Sequence, residues 1–290
     1  MSRRTLLVFV LSIALALVVS PIAFAQDDAP QSGYASVNGL EMYYEIHGTG
    51  EPLVVLHGGY MSIPTMGEIV PRLAETRQVI AVELQGHGRT ADIDRPLTYE
   101  QMADDVAALM GEISVENADV FGYSMGGGVA LQVAIRHPEV VRKLVVASAT
   151  YNSSGFQPGL VEMIETITPE MVAGSPPELD YMSLAPNPEN FPKLVEKLVQ
   201  LDLEVQDWPA EDIQAIESPT LLIFGDADSI TLEHAVDLFR LRGGGVNGDV
   251  TGLPNAQLAV LPATTHIGVM FRVELLNAMI TEFLDTPMPE

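Results

Sequence analysis

The sequence predicts an α/β protein with a mainly parallel sheet flanked by helices. Short apolar runs of strand length, such as Pro52–Leu56 and Thr220–Phe224, are typical of strands that are covered on both faces. Segments of helical length alternate with them, and this alternation predicts right-handed crossovers between parallel strands. A third observation is a strand, a sharp turn and a helix in succession over residues 118–136. With 47% hydrophobic residues in 290, the chain can bury a sizeable core.

Residues 1–25 are predicted to be a cleaved export signal. Arg3 and Arg4 precede the apolar run Leu6–Val19, and Ala23-Phe24-Ala25 ends it with small residues at the cleavage positions. The alternative is an uncleaved membrane anchor, for which the apolar run is short. We therefore expect a secreted or periplasmic protein without stable membrane insertion after signal cleavage.

Charge and composition limit the partners of this chain. The formal net charge is −25, so nucleic acid and anionic lipid would repel it, and we expect a small-molecule substrate instead. There is no cysteine, which excludes disulfides, a thiol nucleophile and a cysteine-bound metal. Histidine and acidic residues do not cluster at ligand spacing, so neither a metal nor a cofactor is expected. The oligomeric state is left open.

The predicted core begins with an antiparallel hairpin. Tyr34–Val37 and Leu40–Ile46 are joined at Asn38-Gly39, which is a two-residue hairpin signal. Further strands are predicted at Gln78–Leu84 and Lys143–Ala149. Between them Thr98 and Gln101 fit a capping box at the start of an amphipathic helix.

A nucleophile is predicted at Ser124. The apolar residues before Gly122 lead into Gly122-Tyr123-Ser124-Met125-Gly126, a G-x-S-x-G motif, and the helix-compatible segment Val129–Arg136 follows. Such a turn projects the serine Oγ above the sheet, and the glycines avoid collisions that a Cβ would cause. An ordinary Gly-Ser turn also fits the motif, so the interpretation requires a base, an acid and an oxyanion site elsewhere.

The loop His57-Gly58-Gly59-Tyr60 follows the strand Pro52–Leu56 and is a candidate oxyanion site. Backbone N–H groups of a glycine loop at the end of a buried strand can point into a site. We predict that the N–H groups of Gly59 and Met125 form the oxyanion pair. His57 is interpreted as structural, holding the loop by hydrogen bonds, although the loop could also be a simple turn.

The base and the acid are sought at other strand ends, since the carboxyl ends of parallel strands meet at one edge of a sheet. His266 follows the last predicted strand, Gln257–Leu261, and alone of the six histidines lies there after a candidate acid. Asp226 and Asp228 both follow Thr220–Phe224 and remain alternatives at this point. An imidazole would accept the serine proton, and a carboxylate would fix its tautomer.

One further histidine competes for the role of base, and three others do not. His87 lies in a glycine-rich loop that could border the pocket, which makes it a rival to His266. His47, His137 and His234 lie in loop or helix settings and are interpreted as surface or packing residues.

The chain divides into three predicted parts after the signal. Residues 26–150 form the first part of the core, 151–218 an insertion, and 219–290 the second part of the core. The insertion is rich in proline, methionine and aromatic residues and contains short helical segments such as Phe191–Leu203. We predict a helical lid over the site, in which some apolar residues line a substrate pocket and others pack the lid onto the core.

With these positions assigned, the mature sequence resembles the α/β-hydrolase superfamily, specifically small serine hydrolases with a helical lid. The matching segments occur in the family order: LVVLHGG, ELQGHGRT, GYSMGG, PTLLIFGDAD and LPATTH. The resemblance implies the α/β-hydrolase fold with a small helical lid inserted after a core strand. It also implies that Ser124 is the nucleophile, Asp228 the acid and His266 the base, because family members with this turn use the carboxylate three residues after the glycine.

The function expected from these residues is hydrolysis of small to medium, largely apolar esters or lactones through an acyl-enzyme. The same residues would serve carbon–carbon bond hydrolysis or cofactor-free perhydrolysis. A slow-turnover ligand receptor is the alternative from another functional class. A serine at the nucleophile position argues against the dehalogenase and epoxide-hydrolase branches, which use aspartate there.

Overall fold

A computed structural model describes residues 29–204 and 207–287. The predicted export segment 1–25 lies outside the described residues. Eight strands form one sheet: β1 (Gln31–Val37), β2 (Leu40–His47), β3 (Pro52–Leu56), β4 (Gln78–Val82), β5 (Ala118–Tyr123), β6 (Val141–Ala147), β7 (Thr220–Ala227) and β8 (Ala256–Thr265). Their spatial order is β1-β2-β4-β3-β5-β6-β7-β8. β1 and β2 pair antiparallel, as do β2 and β4, and the remaining pairs are parallel. The predicted mainly parallel sheet is therefore confirmed.

Eleven α-helices accompany the sheet in the described part of the chain. They are α1 (Ile69–Ala74), α2 (Tyr99–Glu112), α3 (Met125–Arg136), α4 (Leu160–Ile164), α5 (Pro169–Val172), α6 (Pro176–Leu184), α7 (Phe191–Leu203), α8 (Ala210–Ala215), α9 (Leu232–Leu241), α10 (Gly248–Thr251) and α11 (Val273–Asp285). Within the described ranges, no helix is long and apolar enough to span a bilayer.

The sheet separates two apolar cores because successive side chains of a strand point to opposite faces. In β3, Val54 and Leu56 belong to the core that also contains residues of α2, α3 and α9. Leu53 and Val55 belong to the core on the other face, against α1 and α11. All four side chains are buried, as expected for a central parallel strand.

Two local predictions are confirmed by backbone and side-chain geometry. Asn38 and Gly39 both have positive φ, 50° and 82°, which a two-residue turn of this kind requires. The Thr98 side chain accepts a hydrogen bond from the Gln101 N–H at 3.1 Å and caps α2, which confirms the N-cap half of the predicted capping box; the Gln101 side chain donates to Asp105 instead.

Several strand ends differ from their predicted positions by a few residues, and three differences bear on the helices and on His266. Helix α3 begins at Met125, four residues before the predicted start, although its first turn contains three consecutive glycines. Gly127 and Gly128 lie so close to Ala149 and Tyr99 that a side chain would not fit there. Strand β8 continues to Thr265, so His266 follows it directly. The sequence predicts a C-terminal helix over Val269–Leu284, whereas the structure has a 3-10 turn over Ile267–Phe271 followed by helix α11.

The segment between β6 and β7 contains helices α4 to α8. Helix α7 has the predicted bounds, and its buried residues Phe191, Leu194, Val195, Leu198 and Leu201 pack against the first core. The role of this segment as a lid stays a prediction, and so do the boundaries 26–150, 151–218 and 219–290.

Candidate active site

Ser124 occupies a strained turn between β5 and α3. Its φ of 53° and ψ of −120° are rarely adopted by a residue with a side chain. The turn is closely packed: a Cβ on Gly122 would lie 2.0 Å from the carbonyl oxygen of Gly126, and a Cβ on Gly126 would lie 2.3 Å from that of Leu56. Only glycine fits these two positions. The Ser124 N–H donates to the carbonyl of Ala147 at 2.9 Å, which ties the turn to β6.

The structure brings Ser124, His266 and Asp228 together. Ser124 Oγ lies 2.9 Å from His266 Nε2, and His266 Nδ1 lies 2.7 Å from Asp228 Oδ1. With Nδ1 protonated, the imidazole donates to the carboxylate, and Nε2 is free to accept the hydrogen bond of the serine hydroxyl. The three residues are thus one continuous hydrogen-bonded chain, which is the arrangement that activates a serine nucleophile.

The Asp228 carboxylate is buried and is ionised by its surroundings. Burial raises its pKa, but hydrogen bonds from His266, Ser148 and the Gly225 N–H outweigh burial, so the pKa lies below the usual value. Ser148 Oγ donates to Oδ2 at 2.6 Å, and Gly225 N–H donates to the same oxygen at 3.1 Å.

Ser148 is a positioning residue that the sequence analysis did not identify. It directly follows β6 and has a φ of 54°. A signal was present, because Ser148, like Ser124 and Asp228, is a polar residue next to the carboxyl end of an apolar parallel strand. Tyr123 was missed as well: its hydroxyl donates to the carbonyl of His266 at 3.0 Å and fixes the loop after β8.

Asp226, the alternative acid, lies elsewhere. It is exposed, and its carboxylate accepts the backbone N–H groups of Ala263 and Thr264 at 2.9 and 3.0 Å. These hydrogen bonds lower its pKa and join the ends of β7 and β8. Asp228, and not Asp226, therefore contacts His266.

His57 and His87 are buried neutral side chains beside the site. The His57 Nε2 accepts from the Leu84 N–H at 3.1 Å, and its Nδ1 donates to the Gly58 carbonyl at 2.8 Å. Burial and the neighbouring His87 lower the pKa of His57 to about 3, and burial lowers that of His87 to about 4. Neither histidine contacts Ser124, so His87 is not positioned as a base.

The two predicted oxyanion residues both line the cavity at Ser124. Met125 is the first residue of α3, so its N–H has no acceptor within the helix. Gly59 lies in the loop that His57 holds, and a Cβ on Gly59 would approach only Leu198 of α7, at 3.6 Å. The oxyanion role of these amides stays a prediction.

A cavity of about 770 Å³ opens onto Ser124 and His266. Most of its lining is apolar or aromatic and comes from the loop after β3, the segment between β6 and β7, and the loop after β8. Two acids line it, Glu68 and Asp202, and none of the described lining residues is a lysine or arginine. Nowhere in ranges 29–204 and 207–287 do three or more histidine or acidic side chains form a group that could hold a metal.

The chain belongs to the family of proteins with the alpha/beta hydrolase fold, whose model matches residues 51–201. It is 30% identical over 277 residues to the dihydrolipoyllysine-residue acetyltransferase component of the acetoin cleaving system of Pseudomonas putida, covering 90% of this chain and 70% of that protein. It is 31% identical over 141 residues to 2-hydroxymuconate semialdehyde hydrolase of Pseudomonas sp. (strain CF600), covering 47% of this chain and 50% of that protein.

Among solved structures, the meta-cleavage product hydrolase CumD from Pseudomonas fluorescens IP01 superposes with a TM-score of 0.70 at 22% identity. The superposition covers 88% of this chain and 97% of that one. The predicted superfamily and fold class are therefore confirmed, and the hydrolases among the relatives support a general hydrolase activity.

Replacement of Gly126 by alanine is expected to destabilise the protein by at least about 2 kcal/mol, since backbone atoms of β3 cannot move away from the new methyl group without disturbing the sheet. The control is Gly111→Ala in helix α2, where a Cβ meets nothing within 4 Å and alanine favours helix. Urea denaturation of both variants measures the difference. Equal stability of the two variants would contradict the packing described for the Ser124 turn.

Protonation of His57 is expected to lower the free energy of unfolding in mild acid. Its pKa of about 3 in the folded state lies below the unfolded value of about 6.5, so its contribution to stability is present above pH 6.5 and is lost as pH falls toward 3. From pH 7 to pH 5, the wild type should lose about 2 kcal/mol more than His57→Gln. Urea denaturation at each pH measures both losses. Identical losses would show that His57 is not held neutral.

Proposed function

We propose that this protein is a serine hydrolase that cleaves small to medium, largely apolar esters or lactones through an acyl-enzyme. The observation that carries the proposal is the hydrogen-bonded chain from Ser124 Oγ through His266 to Asp228, open to a cavity of mainly apolar lining. A serine hydroxyl needs such an imidazole to become an effective nucleophile at neutral pH.

In the proposed reaction, Ser124 Oγ attacks the ester carbonyl while His266 Nε2 accepts its proton. The positive charge that forms on the imidazole is stabilised by the ionised Asp228. The tetrahedral intermediate collapses, the protonated His266 gives its proton to the leaving alcohol, and an acyl-Ser124 ester remains. Water then attacks this ester with His266 as the base, which releases the acid and restores the serine.

The negative charge of the tetrahedral oxygen would be held by the N–H groups of Gly59 and Met125. Both residues line the cavity beside Ser124, and the Met125 N–H lies at the positive end of helix α3. Each donor of this kind lowers the barrier by about 3 kcal/mol.

Carbon–carbon bond hydrolysis with the same three residues is the second candidate, favoured by the similarity to 2-hydroxymuconate semialdehyde hydrolase. The substrate in that name is a muconate derivative, which carries a carboxylate. No lysine or arginine is present among the described lining residues to pair with a carboxylate, whereas Glu68 and Asp202 would repel it. The charge of the pocket therefore favours an ester without a negative group.

We also propose that the protein is exported, as the sequence of residues 1–25 predicts.

Turnover of p-nitrophenyl esters from acetate to palmitate tests the proposed function. We expect sustained turnover that peaks at a short or medium acyl chain and falls at least about 10⁴-fold in Ser124→Ala, since only Oγ can form the acyl-enzyme. A single burst equal to the enzyme concentration would support a receptor instead. Undiminished turnover by a folded Ser124→Ala variant would contradict the mechanism.

The choice between the two aspartates generates a separate test. Asp228→Asn should lower kcat by about 10⁴-fold, because an amide cannot balance the charge of the imidazolium and favours the wrong tautomer. Asp226→Asn, the matched control on the same turn, keeps one carbonyl acceptor and should change kcat less than about tenfold. Steady-state kinetics on activated esters measure both effects. A larger effect at Asp226 would reassign the acid.

A further inference from the structure

Asp202 places a carboxylate in the cavity of Ser124 and His266, and no side chain of the described residues pairs with it. It lies near the end of helix α7, is partly buried and lines the cavity. Leu194 and Leu198, eight and four residues earlier, are buried on the same face of the helix. Asp202 therefore occupies a position where the apolar stripe of α7 would continue with another apolar residue.

Other carboxylates in the described interior are paired. Arg89 binds Glu83, Arg95 binds Asp105, Arg142 binds Asp119 and His266 binds Asp228; Glu45 accepts from Tyr43 and His47. By contrast, within the described residues no hydrogen bond or ion pair reaches the Asp202 carboxylate.

The environment of Asp202 opposes its charge. The C-terminal end of a helix carries partial negative charge, so a carboxylate on the last turn of α7 is unfavourable there. Burial raises the pKa of Asp202 to about 6, and the charge of His266 counteracts this only in part. Above this pH the group is ionised, and a bound cation would remove the unfavourable energy of an isolated charge.

Tyr60 lines the same cavity as Asp202 and is influenced by its charge. It lies in the loop beside Gly59, has a φ of 60° and lines the cavity. Burial and the negative charge of Asp202 raise the pKa of the Tyr60 hydroxyl to about 12. Helix α7 passes close to this loop, since a Cβ on Gly59 would lie 3.6 Å from Leu198. Tyr99 and Tyr123 add further aromatic lining.

A carboxylate near a tyrosine ring, in a cavity with further aromatic lining, is suited to an alkylammonium group, which gains both ion pairing and attraction to a ring face. We propose that the pocket selects esters that carry an alkylammonium group, with Asp202 as the counter-charge and the Tyr60 ring beside it. The proposal rests on the proposed hydrolase function and names the substrate class for it. The apolar lining binds the rest of the substrate, and the net charge of −25 attracts cations to the protein.

The test uses two esters of the same shape, p-nitrophenyl 4-(trimethylammonio)butanoate and p-nitrophenyl 5,5-dimethylhexanoate. They differ only in a nitrogen that replaces a quaternary carbon and brings the positive charge. Values of kcat/KM are measured at pH 8 and constant ionic strength, and each is divided by the rate of hydroxide hydrolysis of the same ester. We expect the wild type to prefer the cationic ester at least about tenfold.

Asp202→Asn should reduce this preference to near one, and Asp202→Glu should keep most of it. The matched control is Glu196→Gln, which removes the same charge from an exposed position of the same helix and should leave the preference intact. No preference in the wild type, or the same preference in Asp202→Asn, would overturn the proposal.

Failure of the hydrolase function has a different signature, namely that neither ester is turned over. In that case calorimetric binding of tetraethylammonium to the wild type and to Asp202→Asn still tests the cation site. Binding that depends on Asp202 would support the site, and the absence of binding by the wild type would overturn it.

Discussion

The close approach of the first turn of α3 to the carboxyl end of β3 is the constraint on which the site depends. Gly126 lies so near the Leu56 carbonyl that no side chain fits, and the short turn that results holds Ser124 at a φ of 53°. The unfavourable conformation is supported by a hydrogen bond to β6 and by the buried strands on both sides. Ser124 therefore lies at the same edge of the sheet as Asp228 and His266, which follow the ends of β7 and β8. Its Oγ is held in contact with the imidazole.

Three titratable side chains near this turn, Asp228, His57 and Asp202, differ in what determines their charge. Asp228 is ionised because His266, Ser148 and a backbone amide donate hydrogen bonds to it. His57 is neutral because it is buried, and in that form it can both donate to and accept from the backbone of the loops it joins. Asp202 has no such partner among the described residues, and for this reason we propose that its carboxylate is available to a ligand.

Much of the fold and the centre of the site could be predicted from the sequence, since they depend on local patterns and strand order. Apolar runs defined the parallel strands, and the positions after them identified Ser124 and His266. Strand position alone left Asp226 and Asp228 as alternatives, and the family resemblance favoured Asp228. The contacts agree with that choice, because Asp226 lies within β7 and binds backbone N–H groups, whereas Asp228 follows the strand and contacts the imidazole. Helix α3 was predicted too short because glycine disfavours helix, and the close packing that requires glycine beside Tyr99 and Ala149 depends on tertiary contacts. Asp202 was missed because its significance depends on tertiary contacts: it lines the cavity, and no side chain of the described residues pairs with it.

The most direct test of the account is to identify which residue reacts with a fluorophosphonate, a probe that labels activated serines. The protein is treated at neutral pH, digested, and the modified peptide is sequenced by mass spectrometry. We expect one adduct per chain, on Ser124, and its loss in His266→Ala, because the hydroxyl is reactive only when Nε2 accepts its proton. An adduct on Ser148 or another residue, or no adduct on folded protein, would contradict the claim that this hydrogen-bonded chain activates Ser124.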